Sequence, residues 1–452
     1  MTTFTGSQIK RLTAVHGWSG VVLGLLLYAV VFTGTMLVFH HEIAAMSAGG
    51  LTSDSPLSGN LDAKARPLVE RMSKGYHERV FIFADDRGDL LVFPHARAFN
   101  PDEGHMDSYG AMFRLDPVSG ETLARHDGFV FRTPAWFKVS ALERFLYELH
   151  ERLYVPDPWG LILTGMLGLL AMFAGLSGLI IHRHLIRDLF IAERRNERLF
   201  SFRDRHVLAG TWALPFAFLL GFTGAYFSFT GTVIFPLLTE VAFGGDRDKM
   251  IATMFEPKIS PDASPTAMVD IDAVIADATK RVGMPARFIL VDRWGRADAR
   301  IRMFHEPPAG DMSTTRTVYD GASGTFLGFR PNAGNIPSVG GTLRGLMNPL
   351  HFGDFAGVLS KSVWVGLGLA MAFVVISGLR LWVRRREDEL LWQRFGRAVT
   401  VVGYGLPVAM LACAYAYFFA LGASVDEFYW TPAGFLLGLI PGVLPGLVLG
   451  GG

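Results

Sequence analysis

The chain has 452 residues and a formal net charge of +1, so it carries no global field for nucleic acid or for acidic partners. It is 50% hydrophobic and 18% charged, with a mean hydropathy of +0.31, where a soluble protein of this size carries about a quarter charged residues. The shortfall lies in several uncharged runs, which makes this a polytopic α-helical membrane protein. The single cysteine, Cys413, sits inside an apolar run; intramolecular disulfides, thiolate metal sites and Cys-x-x-Cys-His haem attachment are excluded.

In chain order, residues 1–44 hold a first membrane helix over about 13–40. From Leu12 to Phe39 there is no Asp, Glu, Lys or Arg, long enough to cross a hydrocarbon core of ~30 Å. No small-residue cleavage site follows, so this run is read as an anchor. His16 stands near its start and His40 and His41 at its end, about 36 Å apart on a helix rising ~1.5 Å per residue. Residues 45–140 form a polar region; 141–205 hold a short helix ending in His150, a second membrane helix over 158–182 and a basic loop. Residues 206–239 are a third membrane helix with Pro215 inside it, and 240–345 a second polar region. Residues 346–397 hold a fourth helix over 358–383 and another basic loop; 398–452 hold a fifth over 398–421 and a Gly- and Pro-rich sixth over 432–449, expected to be irregular.

Lys and Arg set the orientation. Lys10 and Arg11, seven arginines in 183–205 and five in 384–397 fall on one side, the cytoplasm, while the loop with Asp426 and Glu427 has no base. Both termini are then cytoplasmic, and the two polar regions face outward.

The chain repeats itself. HGWSG…VVFTGTMLVFHHE is answered by HVLAGTW…GFTGAYFSF, so that His16 matches His206, Gly20 matches Gly210, and Thr33-Gly34 matches Thr223-Gly224. LERFLYELH, ending at His150, matches LRGLMNPLH, ending at His351, with Leu142, Phe145, Leu146 and Leu149 against Leu343, Leu346, Met347 and Leu350 on one helical face. Ser177-Gly178 matches Ser377-Gly378. The polar regions repeat too: a helix at 62–73 and at 270–282, each followed by two hairpins, with LDPVSGETL and YDGASGTFL as shared strings. Two packed halves related by a pseudo-two-fold along the membrane normal are expected.

Over about residues 1–390 these motifs, in this order and duplicated, resemble the PepSY-associated transmembrane family, iron-regulated inner-membrane proteins that include siderophore reductases. The resemblance implies two small α+β PepSY-like outer domains, two haem b groups held by histidines, and electron transfer across a bacterial inner membrane to ferric siderophores, releasing Fe(II).

Of thirteen histidines, eight lie at or near the ends of membrane helices and five in the polar regions. Imidazole is a good axial ligand for haem iron, and ionisable residues in or near a span default to functional hypotheses. Duplication in register singles out His16 with His206 near the cytoplasmic face, and His150 with His351 near the outer face, as two bis-histidine pairs. His40, His41, His182 and His184 lack partners in the other half and compete with them, His40 or His41 as a mate for His150 and His182 or His184 on the cytoplasmic side. His77, His95, His105, His126 and His305 are expected on the surface of the outer domains. Glycines recurring on the helix faces serve close packing and leave room for a flat group. Arg144, Arg152, Arg344 and the basic loop offer partners for propionates, although topology alone accounts for most of these arginines.

No nucleotide fingerprint is present: Gly366-Leu-Gly368 lies within a membrane helix and lacks the third glycine. The electron donor is then a quinol or a cytoplasmic partner protein. A different class of function stays open, a haem-free permease or sensor, because repeated halves are equally typical of transporters.

Overall fold

The computed structural model describes residues 4–47, 57, 59–85, 88–101, 105–130, 137, 139–182, 198–255, 259–305, 312, 315–331 and 337–448. The helices are α1 (Gly6–Leu37), α2 (His40–Ser47), α3 (Leu61–Arg71), α4 (Ala141–Arg152), α5 (Trp159–Ile181), α6 (Arg198–Phe229), α7 (Phe235–Phe243), α8 (Arg247–Phe255), α9 (Ile271–Val282), α10 (Val339–Phe352), α11 (Gly357–Arg384), α12 (Leu390–Ala423) and α13 (Glu427–Val448). The strands are β1 (Arg79–Ala84), β2 (Leu90–Asn100), β3 (His105–Leu115), β4 (Thr122–Phe129), β5 (Ala286–Asp292), β6 (Arg300–His305), β7 (Thr315–Asp320) and β8 (Phe326–Pro331). They form two compact units, one from Met1–His40, Ala141–Leu237 and Leu350–Gly452, the other from His41–Ser140 and Leu238–Pro349.

In the helical unit, five helical stretches among the described residues are long and apolar enough to cross a membrane: Gly6–Leu37, Trp159–Ile181, Arg203–Phe243, Gly357–Arg384 and Leu390–Ala423. The third runs longer than expected because a π-helical turn, Thr230–Ile234, carries α6 into α7 without a break. The first starts earlier, where Thr5 and Gln8 form a capping box: the Thr5 hydroxyl accepts from the Gln8 N–H and the Gln8 side chain from the Thr5 N–H. Helices α1, α5, α6 and α11 close a ring in which α1 and α6 each pack on both α5 and α11. Their outer faces leave Val22, Leu176 and Leu369 exposed, a surface suited to lipid.

The α12–α13 hairpin packs on α11, α1 and α4. Tyr28 on α1 donates to the Gly403 carbonyl of α12 at 2.8 Å. Trp18, Trp382 and Trp392, from α1, α11 and α12, meet edge to face with centroids 5.1–5.9 Å apart, and the Arg386 guanidinium lies 3.6 Å over the Trp382 ring. The last helix is continuous, not irregular. Gly434 and Gly438, one turn apart, let its backbone press on Ala409, Ala412 and Ala416, where added Cβ atoms would come within 2.3–2.8 Å.

In the other unit the eight strands make one antiparallel sheet in the order β4-β3-β2-β1-β5-β6-β7-β8. Its centre is the β1–β5 pair, with Val80 opposite Val291 and Ile82 opposite Ile289. These inward residues alternate with outward ones and form one core with Leu61, Ala65 and Val69 of α3 and Ile271, Val274 and Ala278 of α9. The two helices cap each other: Asp272 accepts from the backbone N–H groups of Leu61 (2.9 Å) and Asp62 (3.0 Å), and Asp62 from that of Ile271 (3.3 Å). The turns at Asp116 and Asp320 share one construction, a carboxylate accepting from the backbone and hydroxyl of the serine three residues on, then a glycine at φ near +72°. Strands β2 and β3 extend past the expected hairpin, to Asn100 and from His105. That stretch contains Pro94 and polar residues and gives no apolar alternation; the ladder of backbone bonds builds it. Helices α2, α7 and α8 were not anticipated either.

The reciprocal cap yields a prediction. In Asp272→Ala the N–H groups of Leu61 and Asp62 lose their acceptor, at a cost of about 1–2 kcal/mol. Amide hydrogen exchange at the start of α3 accelerates, while the Asp116 turn is unaffected; unchanged exchange at Leu61 and Asp62 would refute the cap.

Candidate functional site

The amphipathic helix α4 buries Leu142, Phe145, Leu146 and Leu149 as expected and carries His150 in its last turn. Its counterpart α10 ends with His351 and departs from the expectation: Met347 is buried but Leu343 is 54% exposed. The His150 and His351 rings face each other with centroids 6.2 Å apart and planes inclined by 42°. His16 on α1 and His206 on α6 occupy matching places in the repeat, each beside a Ser-Gly pair of a neighbouring helix.

Each ring is held by a Ser/Thr-Gly pair or the carbonyl beside it. Ser177 Oγ donates to the Ala174 carbonyl (3.1 Å), so toward His16 Nδ1, 2.8 Å away, it accepts. Ser377 Oγ donates to the Val374 carbonyl (3.1 Å), and His206 Nδ1 lies 3.0 Å from that carbonyl and 3.1 Å from the hydroxyl. Thr223 Oγ1 donates to the Leu219 carbonyl (2.8 Å) and accepts from His351 Nδ1 at 2.8 Å. His150 Nδ1 lies 3.0 Å from the Val30 carbonyl, which can only accept. A carbonyl can only accept, so His150 and His206, each with a carbonyl 3.0 Å from Nδ1, carry the proton there; His16 and His351 face hydroxyls that donate to their own helices, an arrangement that matches the same tautomer. Nε2 keeps its lone pair and has no hydrogen-bond partner among the described residues. This is the state in which imidazole binds a metal, with its tautomer and orientation fixed by the bond at the other nitrogen.

The glycines complete the cradle. A Cβ at Gly34 would lie 2.5 Å from His150 Cε1, one at Gly378 2.9 Å from His206 Cε1, one at Gly224 3.6 Å from His351 Cε1 and one at Gly178 3.9 Å from His16 Cε1. One turn past His16, a Cβ at Gly20 would meet nothing within 4 Å, which leaves open space beside that ring. The two levels are separated along α1 by the 14 residues from His16 to Val30, roughly 21 Å.

Three of the competing histidines are among the described residues. His40 is buried, its Nδ1 3.1 Å from the Leu37 carbonyl and its ring 4.8 Å from Phe352 and 6.2 Å from Tyr147. His41 Nε2 accepts from Arg287 at 3.5 Å. His182 follows the last turn of α5, its N–H bonded to the Gly178 carbonyl. His184 and the loop arginines up to residue 197 lie outside the described residues. Sequence reasoning recorded the Ser-Gly and Thr-Gly pairs as repeat markers but gave them no role; their recurrence in register with the histidines was the available signal.

The expectation of five surface histidines needs correction. His95 and His305 are buried at 1% and 3% exposure. His95 sits in β2, stacked on Phe93 at 4.5 Å and edge-on to Phe81 at 4.3 Å. Burial pushes its pKa down to about 4, opposed by the hydrogen bond to the Phe93 carbonyl and reinforced by Arg79. His305 bridges the Met284 carbonyl and Thr317. His77 and His126 are half-buried.

The chain matches the PepSY-associated TM region family over residues 13–385. It belongs to that family, as a multi-pass α-helical membrane protein with an antiparallel sheet unit. Among curated proteins it is similar to the uncharacterized protein PA4219 of Pseudomonas aeruginosa, 28% identical over 256 residues, which is 54% of this chain and 64% of the relative. The match thus spans less than two thirds of that relative's length.

Two predictions follow from this geometry. Gly34→Ala, which drives a methyl into the His150 ring, destabilises the protein by roughly 1–3 kcal/mol, whereas Gly178→Ala is neutral or slightly stabilising, since Ala favours a helix by up to ~1 kcal/mol; thermal unfolding in detergent separates them. For His95, the unfolded side chain titrates near 6.5 and the folded one near 4. Its contribution is therefore complete above pH ~6.5 and lost as pH falls toward 4. His95→Phe loses less thermal stability than wild type between pH 7 and pH 5, and equal losses would exclude the effect.

Proposed function

We propose that the chain is a di-haem transmembrane reductase, built as two copies of a helix–outer domain–helix unit, which passes electrons to ferric siderophore outside a bacterial inner membrane. The observation that carries this reading is the facing of His150 and His351. Their rings are 6.2 Å apart with both Nε2 lone pairs unengaged. A centroid spacing of 6.2 Å leaves room for two metal–nitrogen bonds of about 2 Å, so His150 and His351 would fit a metal held by both.

The donor set favours haem over a bare ion. A closed zinc site takes four protein ligands, and among the described residues no group of three or more His, Cys, Asp or Glu side chains is placed to hold a metal. A haem, which brings its own ring nitrogens, would need only two imidazoles from the chain. His150 and His351 would hold one haem b and His16 and His206 the other, with Gly20, Gly34 and Gly378 leaving room. Haem b held in this way supplies a one-electron couple shielded from water.

The remaining work falls to the chain's own residues. The ring of α1, α5, α6 and α11 holds the two histidine levels in line across the bilayer. The positive-inside pattern of Lys10, Arg11 and the two basic loops puts His16 and His206 at the cytoplasmic level, facing a quinol or a partner reductase, and His150 and His351 at the outer level. The sheet unit then lies outside and positions the ferric siderophore. One electron converts Fe(III) to Fe(II), which hard oxygen donors hold less tightly, and the metal is released.

Haem stoichiometry and the optical spectrum of each His→Ala variant test this. Wild type carries two reducible six-coordinate haems. His16→Ala and His206→Ala damage one of them, His150→Ala and His351→Ala the other, and a double variant within a pair resembles its singles. A colourless protein made with ample haem would instead favour a permease or sensor, and an indispensable His40, His41, His182 or His184 would overturn the pairing.

A further inference from the structure

Thr33 and Thr223 occupy the same place in the repeat, each just before a glycine in a long helix. Both hydroxyls donate to the carbonyl four residues back, at 2.8 Å, to Ala29 and to Leu219. Their relations to the paired histidines differ. His150 Nδ1 takes the Val30 carbonyl at 3.0 Å, and Thr33 Oγ1 stands off at 3.5 Å, the outer limit of a hydrogen bond. His351 Nδ1 has Thr223 Oγ1 at 2.8 Å and no other hydrogen-bond partner among the described residues.

The seating of the rings tells the same story independently. His150 is drawn onto its helix, its Cε1 2.5 Å from a Cβ built at Gly34; His351 stands further out, at 3.6 Å from one at Gly224. A carbonyl acceptor pulls the imidazole against the backbone, whereas a hydroxyl holds it a side chain's length away. We infer that Thr223 is the positioning residue on which His351 depends, and that its sequence counterpart Thr33 is dispensable to His150. Without the Thr223 hydroxyl the Nδ1–H of His351 is buried and unsatisfied, and the ring gains by moving its proton or rotating. Either change withdraws the Nε2 lone pair from the space it shares with His150. With Thr33 removed, the Val30 carbonyl still holds His150 in place.

The inference rests on the di-haem reading only for its consequence, so the test has two arms. In haem-free protein with ¹⁵N-labelled histidine, the nitrogen shifts report which ring atom carries the proton. Wild type shows His351 protonated at Nδ1; Thr223→Val loses that signature, Thr223→Ser keeps it, and Thr33→Val leaves the His150 signal unchanged. In the second arm, haem is titrated into the same proteins and followed by the optical spectrum. Thr223→Val binds haem at the His150–His351 level about 10–100-fold more weakly, the usual loss when the partner orienting a ligating histidine is removed, and Thr33→Val binds it as wild type does. An Nδ1–H signature retained by His351 in Thr223→Val, or equal losses in the two valine variants, would overturn the inference. A wild type that takes up no haem, with the tautomer result as expected, upholds Thr223 as the positioning residue and sinks the di-haem reading alone.

Discussion

The structure of the helical unit depends on a bond that no helix needs for itself: an imidazole Nδ1–H given to a hydroxyl or carbonyl of a neighbouring helix. A helix interior offers few acceptors, because its carbonyls are committed to the N–H four residues on. Ser177, Ser377 and Thr223 solve this by turning their hydroxyl protons onto their own helix and presenting a lone pair outward. Val30 offers the second lone pair of its carbonyl. At Gly34 and Gly378 the missing side chain admits the ring, and the approach is too close for any other residue; at Gly178 and Gly224 a Cβ would only touch the ring at ordinary contact distance. Polar residues inside a membrane are costly, and here the same atoms that satisfy them also set the direction of Nε2.

Such a device works only if the helices around it do not move. The four-helix ring is held at its waist by small residues, as where Gly168 and Gly221 bring α5 and α6 to backbone contact, each built Cβ 2.7 Å from the other's carbonyl oxygen. At the His16 level the tryptophan cluster with Arg386 binds α12 to α1 and α11, and Trp382 fits against α1 because residue 17 is glycine. The hairpin of α12 and α13 therefore braces the ring from outside, although its own sequence carries no histidine and little motif content. The sheet unit follows another logic, in which two helix N-termini lend each other a carboxylate across the β1–β5 centre.

The legible parts of the sequence were those with a period or a repeat. Uncharged runs marked α5 and α11 almost to the residue but missed the charged first turns of α1, α6 and α12, and alternation marked β1, β5 and β7, since burial on one face dictates both patterns. The duplicated histidines were legible for the same reason. Elements resting on backbone bonds or termination chemistry were not: the β2–β3 extension, the π turn after Phe229 and α8 leave no apolar period. Burial of His95 was also invisible, because a lone histidine reads as polar until neighbouring phenylalanines enclose it. Nor could spacing show that Ser177 meets His16, since the contact joins residues 161 positions apart.

Equal sequence did not mean equal role. Thr33-Gly34 and Thr223-Gly224 are identical dipeptides in matched places, yet one histidine binds a carbonyl and the other a hydroxyl. A carbonyl oxygen is fixed by the helix, while a threonine hydroxyl lies at the end of a rotatable bond and is held by its back-bond to Leu219. The His150 side is thus set by backbone geometry alone, and the His351 side by a side chain open to substitution. Two imidazoles that were to share one ligand would need both lone pairs directed at it, and misplacing either would be enough to lose it. The tolerance of the whole level is consequently that of its weaker support, which places the sensitivity of this end of the bundle on α6 rather than on α1.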